Sequence, residues 1–435
     1  MTPEVLSLIL LFSLFLLLGS GVWIALSLIG VGAIGMMLFS SAPIGKVMAT
    51  AVFSSNNSWA LTSLPLFIWM AEILFRTRLS EDMFSGLAPW LVRLPGRLLH
   101  VNVVGCGIFA AVSGSSAATC VTIGKMSMPE LMRRGYDERM SIGSLAGSGT
   151  LGLLIPPSIM MIVYGLVAEV SIARLFIAGV LPGIMLMGLF MGYIIFWAWL
   201  NPTKVPPADI QMTFSEKIYN SRRLIPVVLL IIAVIGSIYA GYATPTEAAA
   251  VGVLGSLGIA IATGNFAWKN FADSVMGAMR TSCMITLILA GAAFLAVAMG
   301  FTGLPRQVAG WIASMHLSVY TLLLALLILY IILGCFLDGI SMVVLTTSVI
   351  QPLIIQAGVD VVWYGIFIVL VVEMAQITPP VGFNLFVLQG MTGKNIFYVA
   401  QAAFPFFLIM ILAVVLITIF PQIVTYLPNQ MLSAK

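Results

Sequence analysis

Four short segments interrupt long apolar stretches with groups able to hold ions or polar solutes. The first, Ala111–Thr119 (AVSGSSAAT), gathers Ser113, Ser115, Ser116 and Thr119 around a glycine. Hydroxyls and freed carbonyls at such a break can coordinate a cation, and the first turn of a following helix can face an anion. The same small residues also suit close helix packing, so this segment alone leaves both readings open. The second, Gly147–Ser158 (GSGTLGLLIPPS), combines Gly147, Gly149 and Gly152 with Pro156 and Pro157. Consecutive prolines deny the preceding turn two hydrogen bonds, so a helix should unwind there rather than simply kink. Irregular backbone at membrane depth is tolerated only against protein or a polar cavity.

The third segment, Cys335–Ser341 (CFLDGIS), places Asp338 inside an apolar run from Tyr320 to Ile350. An acid deep in hydrocarbon is costly and marks a site for a cation or proton, although Asp-Gly is also good turn and capping chemistry. The fourth, Gln376–Asn384 (QITPPVGFN), repeats the proline pair and adds Gln376, Thr378 and Asn384. Glu373 and Glu247 also lie in or beside apolar runs. Polar pairing between helices accounts for both more simply than ligand binding does.

No catalytic constellation accompanies these groups. His100 and His316 stand at run edges, away from the mid-span serines, and HExxH, paired intramembrane aspartates and GxxxxGK[ST] do not occur. An enzyme is not expected. Cys106, Cys120, Cys283 and Cys335 lie in apolar runs without CxxC spacing, which argues against a disulfide framework or zinc site. Of 435 residues, 61% are hydrophobic and 8% charged, against roughly 25% charged in soluble proteins. Fifteen acids and 19 bases cannot coat a soluble particle of this size. A soluble enzyme, a nucleic-acid binder and a disordered chain are thereby excluded, and the lipid bilayer is the expected surrounding. The net charge of +4 implies no nucleic-acid partner, because the bases are sparse and sit in short loops.

The elements that must position the four segments are apolar helices, since the runs are long and continuous rather than alternating. No base precedes the first run, so it reads as a retained span rather than a cleaved leader. Six runs precede the polar segment Asn201–Arg223 and six follow it. At an offset of 223 residues, Pro3, Pro129, Pro156, Pro157 and Pro182 fall on Pro226, Pro352, Pro379, Pro380 and Pro405. Each proline fixes a kink, so shared positions imply shared geometry and two structural repeats, residues 1–200 and 224–425. The runs Val101–Met128 and Tyr320–Ile350 are taken to turn back as re-entrant hairpins. With the N-terminus outside, fourteen Lys and Arg then fall inside, only Lys46, Arg174, Arg306 and Lys435 fall outside, and Lys125 lies within a hairpin. The repeats enter from opposite sides, and both termini are expected outside. Glu81–Arg97 and its counterpart Leu304–Met315 read as interfacial helices. The expected fold is an all-α polytopic membrane protein with two inverted repeats, re-entrant hairpins and broken helices, an architecture that places its sites at the midplane.

The segments SGSSAAT, GTLGLLIPPS, ATPTEAAAVG and ITPPVGFNLF, in this order and spacing, resemble the large membrane subunit of tripartite ATP-independent periplasmic (TRAP) transporters of the dicarboxylate and sialic-acid type, over essentially the whole chain. The resemblance implies a sodium-driven elevator with a static scaffold and a moving transport domain. Scaffold spans and the first arm would occupy residues 1–98, transport half 1 residues 99–200, and a cytoplasmic loop 201–223. The second scaffold and arm would take 224–317, transport half 2 318–427, and a tail 428–435. It further implies a bacterial inner-membrane location, a small four-helix membrane subunit as a separate chain, and a periplasmic substrate-binding protein. Carried over by motif, one sodium site would use Ser113, Ser115, Gly152 and the backbone around Pro380 and Val381. A second would use Asp338, Gly339 and the backbone near Gln376 and Thr378. The solute, sialic acid or a C4-dicarboxylate, would contact Ser116, Thr119, Pro157 and Asn384. An ion channel or a non-transporting scaffold subunit is the alternative, but channels commonly gain their pore from symmetric assembly.

Overall fold

The computed structural model describes residues 3–77, 79–207, 212–302, 310, 318–334, 337–379 and 382–433. Among these the regular structure is helical, without strands. Six helices are long and apolar enough to cross a bilayer, and two bent helix pairs meet the same test if each is one span.

The first repeat opens with α1 (Pro3–Gly19), α2 (Ile24–Phe39), α3 (Ile44–Asn56), α4 (Ser63–Phe75) and α5 (Leu79–Leu91). It continues with α6 (Leu99–Ser113), α7 (Ser116–Arg133), α8 (Glu138–Gly149), the single turn α9 (Leu151–Leu154), α10 (Ile159–Val167) and α11 (Ile172–Leu200). After α12 (Phe214–Ser221) come α13 (Ile225–Tyr239), α14 (Pro245–Ala262), α15 (Trp268–Thr302), α16 (Val319–Gly334) and α17 (Gly339–Gln356). The chain ends with α18 (Val361–Ala375), α19 (Phe383–Thr392), α20 (Ile396–Ile419) and α21 (Gln422–Ser433).

The offset of 223 residues relates these helices closely. It carries Ser116, which opens α7, onto Gly339, which opens α17, and Glu138 of α8 onto Val361 of α18. Asp137 and Asp360 are equivalent too, and both cap the next helix, accepting from the amides of Met140 and Trp363 at 2.8 Å each. Such a cap contributes about 1 kcal/mol by satisfying an orphan amide. Among the described residues, one long element sets the repeats apart. The bent pair Ile44–Asn56 and Trp59–Phe75, angled by 60°, corresponds to the unbroken 35-residue α15.

Packing sorts the helices into two bodies. In one, α15 lies along α2, α3 and α4, while α14 packs on α4 and α13. In the other, hairpin α6–α7 packs on α8, α7 meets α19, α20 lies along α8, and α17 meets α10 and α18. The two repeats are thus interleaved in this body, each completing the other's core. Polar bonds pin this second body: the Tyr330 and Tyr364 hydroxyls are 3.0 Å apart, Tyr330 bonds Thr346 at 2.7 Å, and Tyr164 donates to the Val361 carbonyl at 2.8 Å. The bodies touch where α15 meets α17 and α10, where α4 meets α6 and α10, and where α13 meets α6 and α11.

Ion pairs join several loops. Lys394 pairs with Glu138 at 3.0 Å and Lys204 with Asp137 at 3.6 Å, which brings the ends of α19, α11 and α7 to one end of the molecule. The expected first interfacial helix is α5 with the turns after it. Its Trp90 indole donates to Ser221 at 2.7 Å and stacks edgewise on Phe214, so it is clasped to α12. Its counterpart, Leu304–Met315, lies outside the described residues apart from Gly310.

Candidate functional site

The first expected hairpin turns between α6 and α7, and the second is described on either side of residues 335–336. Helix α6 ends at Ser113, and Gly114 takes the left-handed conformation at φ 59°. A side chain there would sit 2.9 Å from the Pro157 carbonyl, so glycine is required both by backbone and by space. The Gly114 carbonyl in turn accepts the Ile159 amide at 3.3 Å. This ties the tip to the proline break between α9 and α10, where the paired segments bend by 43° and the Pro156–Pro157 peptide is cis.

The groups of the tip are close together. Ser113 and Thr119 share a hydroxyl bond of 2.6 Å, and the Ser115 amide points at Ser113 Oγ at 3.4 Å. Gly152 presses directly on this turn, because a Cβ there would lie 2.5 Å from the Ser115 carbonyl oxygen and 2.6 Å from Ser116 Cα. Ser113, Ser115, Ser116, Thr119, Gly152 and Pro157 are therefore one constellation. Asn384 of the other repeat approaches α8 nearby. Its amide nitrogen and the Cys120 side chain both stand 3.4 Å or less from the Cβ position of Gly149. The Asn384 side chain is fully buried, and neither its Oδ1 nor its Nδ2 has a hydrogen-bond partner. Buried amides are ordinarily bonded, so this one is poised for a further polar contact.

Glu373 is the residue that sequence reasoning undervalued. It projects from α18 into the first-repeat tip, where Oε1 accepts the Ser116 hydroxyl and, at 3.0 Å, the Leu153 amide. It is fully buried, and its Oε2 has no partner. One side chain thereby joins hairpin 1, the broken helix of the same repeat and a helix of the other repeat. The available signal was its place five residues before Thr378, in the run leading to the second proline pair. Glu247, its companion in the sequence reading, is a local cap. It forms a capping box with Thr244, whose amide donates to it at 2.8 Å.

The second hairpin turns between α16 and α17. Asp338 is exposed and caps α17, its Oδ2 accepting the Ile340 and Ser341 amides at 3.1 and 3.3 Å and its Oδ1 the Ser341 hydroxyl. It is therefore not a solitary acid, because the turn supplies its partners. Gly339 is buried against the second break, its Cβ position 3.2 Å from Gln376 Nε2 and 2.5 Å from Val372 Cγ1. In the break the Gln376 carbonyl accepts the Asn384 amide at 3.1 Å and the Thr378 carbonyl accepts Gly382 at 2.9 Å. Gly339 and Gln376 are thus brought together, with Thr378 in the adjoining turn. Pro380 and Val381 lie outside the described residues. Among the described residues no cluster of three His, Cys, Asp or Glu forms. The donors are hydroxyls, amides and carbonyls, which suit a hard monovalent cation and a polar solute.

Interleaved helical repeats, two hairpins and two helix breaks joined by buried polar groups define a multi-pass membrane permease. Residues 9–423 match the model of the tripartite ATP-independent periplasmic transporter, DctM component, and the chain belongs to that family of TRAP transporter large permeases. It is 31% identical over 403 residues to the C4-dicarboxylate TRAP transporter large permease protein of Pseudomonas aeruginosa, covering 92% of each chain. It is 28% identical to the sialic acid TRAP transporter permease protein of Haemophilus influenzae, covering 94% of this chain and 67% of that one. It is 31% identical to a fused isethionate TRAP transporter permease protein of Oleidesulfovibrio alaskensis, covering 96% and 64%. In fold it is similar to the Alcanivorax borkumensis YdaH transporter, with a TM-score of 0.65 at 13% identity over 92% and 96% of the chains.

Proposed function

We propose that this chain is the permease of a sodium-coupled importer that takes a carboxylate-bearing solute, sialic acid or a C4-dicarboxylate, from a periplasmic binding protein and moves it by an elevator motion. A separate small four-helix subunit would complete the membrane part, in a bacterial inner membrane with both chain termini periplasmic. The observation that carries this reading is the single constellation of Ser113, Ser115, Ser116, Thr119 and Gly152, closed by Glu373 from the opposite repeat. Sodium would bind at Ser113, Ser115 and Gly152 with the Pro380–Val381 backbone, and at Asp338, Gly339, Gln376 and Thr378. The solute would lie by Ser116, Thr119, Pro157 and Asn384. Two packed bodies with limited mutual contact suit a sliding motion of one past the other. An anion moving against an inside-negative potential meets about 2.3 kcal/mol per charge per 100 mV. Co-moving sodium in excess of the solute charge reverses that sign.

The ion sites are tested on the purified chain. Melting temperature should rise with NaCl and not with KCl at equal ionic strength, since a ligand of the native state adds RT ln(1 + [L]/Kd). Asp338→Asn should keep the baseline melt, because asparagine caps a helix as well as aspartate, and should lose most of the sodium increment. Equal melting in sodium and potassium contradicts the sodium sites, and an undiminished increment in Asp338→Asn removes Asp338 from them.

A further inference from the structure

Between the two bodies lies a cleft of about 900 Å³, separate from the hairpin tips. One wall is α3 and α15, the other is α17 and the end of α10. Its size is that of clefts that enclose small-molecule ligands, about 300–1,000 Å³. Lys46, Thr50, Ser54 and Ser58 line it at a spacing of four residues, and so form one polar stripe along α3 and the turn after it. Ser55 and, from α17, Ser348 add two further hydroxyls. Beside the stripe, on the same wall, Ala292, Ala293 and Ala296 of α15 leave width where larger side chains would fill it. Val47, Leu289, Val297, Phe301 and Val344 supply an apolar remainder of the lining.

The charges of the cleft are one of each sign. Lys46 is exposed and makes no ion pair among the described residues, and Glu169 stands on the opposing body, exposed and with left-handed backbone at φ 55°. A second carboxylate on a bound solute would be repelled by Glu169, whereas hydroxyl or amide donors would be welcomed by it and by the serine and threonine stripe. We infer that this cleft is a receiving vestibule for a hydroxyl-rich monocarboxylate, whose carboxylate pairs with Lys46 and whose hydroxyls face the α3 stripe and Glu169. The inference rests on the transport reading above and narrows its solute class, against a dicarboxylate.

The test reads chemical modification in the full-length chain and needs no solute movement. Ser54→Cys is placed in a Cys283→Ser, Cys335→Ser background, and the same background without Ser54→Cys serves as blank. Its reaction rates with the anionic reagent methanethiosulfonate ethylsulfonate and the cationic trimethylammonium analogue are compared at low salt. Ser54 lies two turns, about 12 Å, from Lys46. At that distance one charge should favour the anion about threefold to tenfold. The preference is expected to vanish in Lys46→Gln and persist in Lys46→Arg, and gluconate is expected to slow the reaction more than succinate does. A Ser54→Cys thiol that does not react, an anion preference that survives Lys46→Gln, or equal protection by succinate would overturn the vestibule. If the modification pattern holds while sodium-driven uptake is absent, the transport reading fails and the cleft stands.

Discussion

Replacing Glu373 by alanine is expected to destabilise the body that holds both hairpins by about 2–5 kcal/mol and to abolish uptake. The side chain is fully buried, and its removal strands the Ser116 hydroxyl and the Leu153 amide, both of which it accepts. A buried donor left without its acceptor costs about 1–3 kcal/mol, and the emptied volume adds a packing loss. Hydrogen bonds inside membranes often measure less, near 0.6 kcal/mol, which sets the lower end. Glu373→Gln keeps a carbonyl oxygen able to accept from both donors, so it should melt within about 1 kcal/mol of the parent. Thermal melts of the two variants, with hydrogen exchange across residues 113–120, check this. An alanine variant as stable and as protected at the tip as the parent would show that Glu373 does not hold the repeats together.

Gly152→Ala is the second large effect. The added carbon would stand 2.5 Å from the Ser115 carbonyl oxygen and 2.6 Å from both the Ser115 carbonyl carbon and Ser116 Cα. Those are backbone atoms, so no rotamer change relieves the overlap and the hairpin must move away from the break. Overpacking of this kind costs about 1–3 kcal/mol. Geometry at a binding constellation is more sensitive than stability is, so uptake should fall at least about tenfold, since displacements near 1 Å at an active site can cost 10²-fold. Gly188→Ala on α11 is the control. Nothing lies within 4 Å of its Cβ position, and alanine is favoured over glycine in a helix by about 1 kcal/mol. Matched uptake by the two variants would mean that the contact between tip and break is dispensable.

The large features of the fold were legible because each has a one-dimensional cause. Proline pairs and a glycine between serines interrupt helices wherever they occur, so both hairpins and the first-repeat break formed close to their expected positions, and the 223-residue offset aligned not only prolines but the starts of α7 with α17 and α8 with α18. Contacts were less legible. The partners of Glu373 come from 220 and 257 residues away, and hydropathy cannot report which helix faces an acid. Asp338 shows the converse, since the local Asp-Gly turn already supplies it with partners. Helix α3 escaped the apolar pattern entirely. Lys46, Thr50, Ser54 and Ser55 dilute its hydropathy, and the cleft beside it explains why those residues are tolerated there.

Solute uptake in proteoliposomes tests the central claim most directly. The chain is reconstituted with its small membrane subunit, and labelled N-acetylneuraminate or succinate is supplied on the binding protein under an inward sodium gradient. Accumulation is predicted for one of these solutes, and it should collapse to background when sodium is replaced by potassium or the binding protein is omitted. Uptake that persists at the same rate without the sodium gradient, or without the binding protein, would contradict the account.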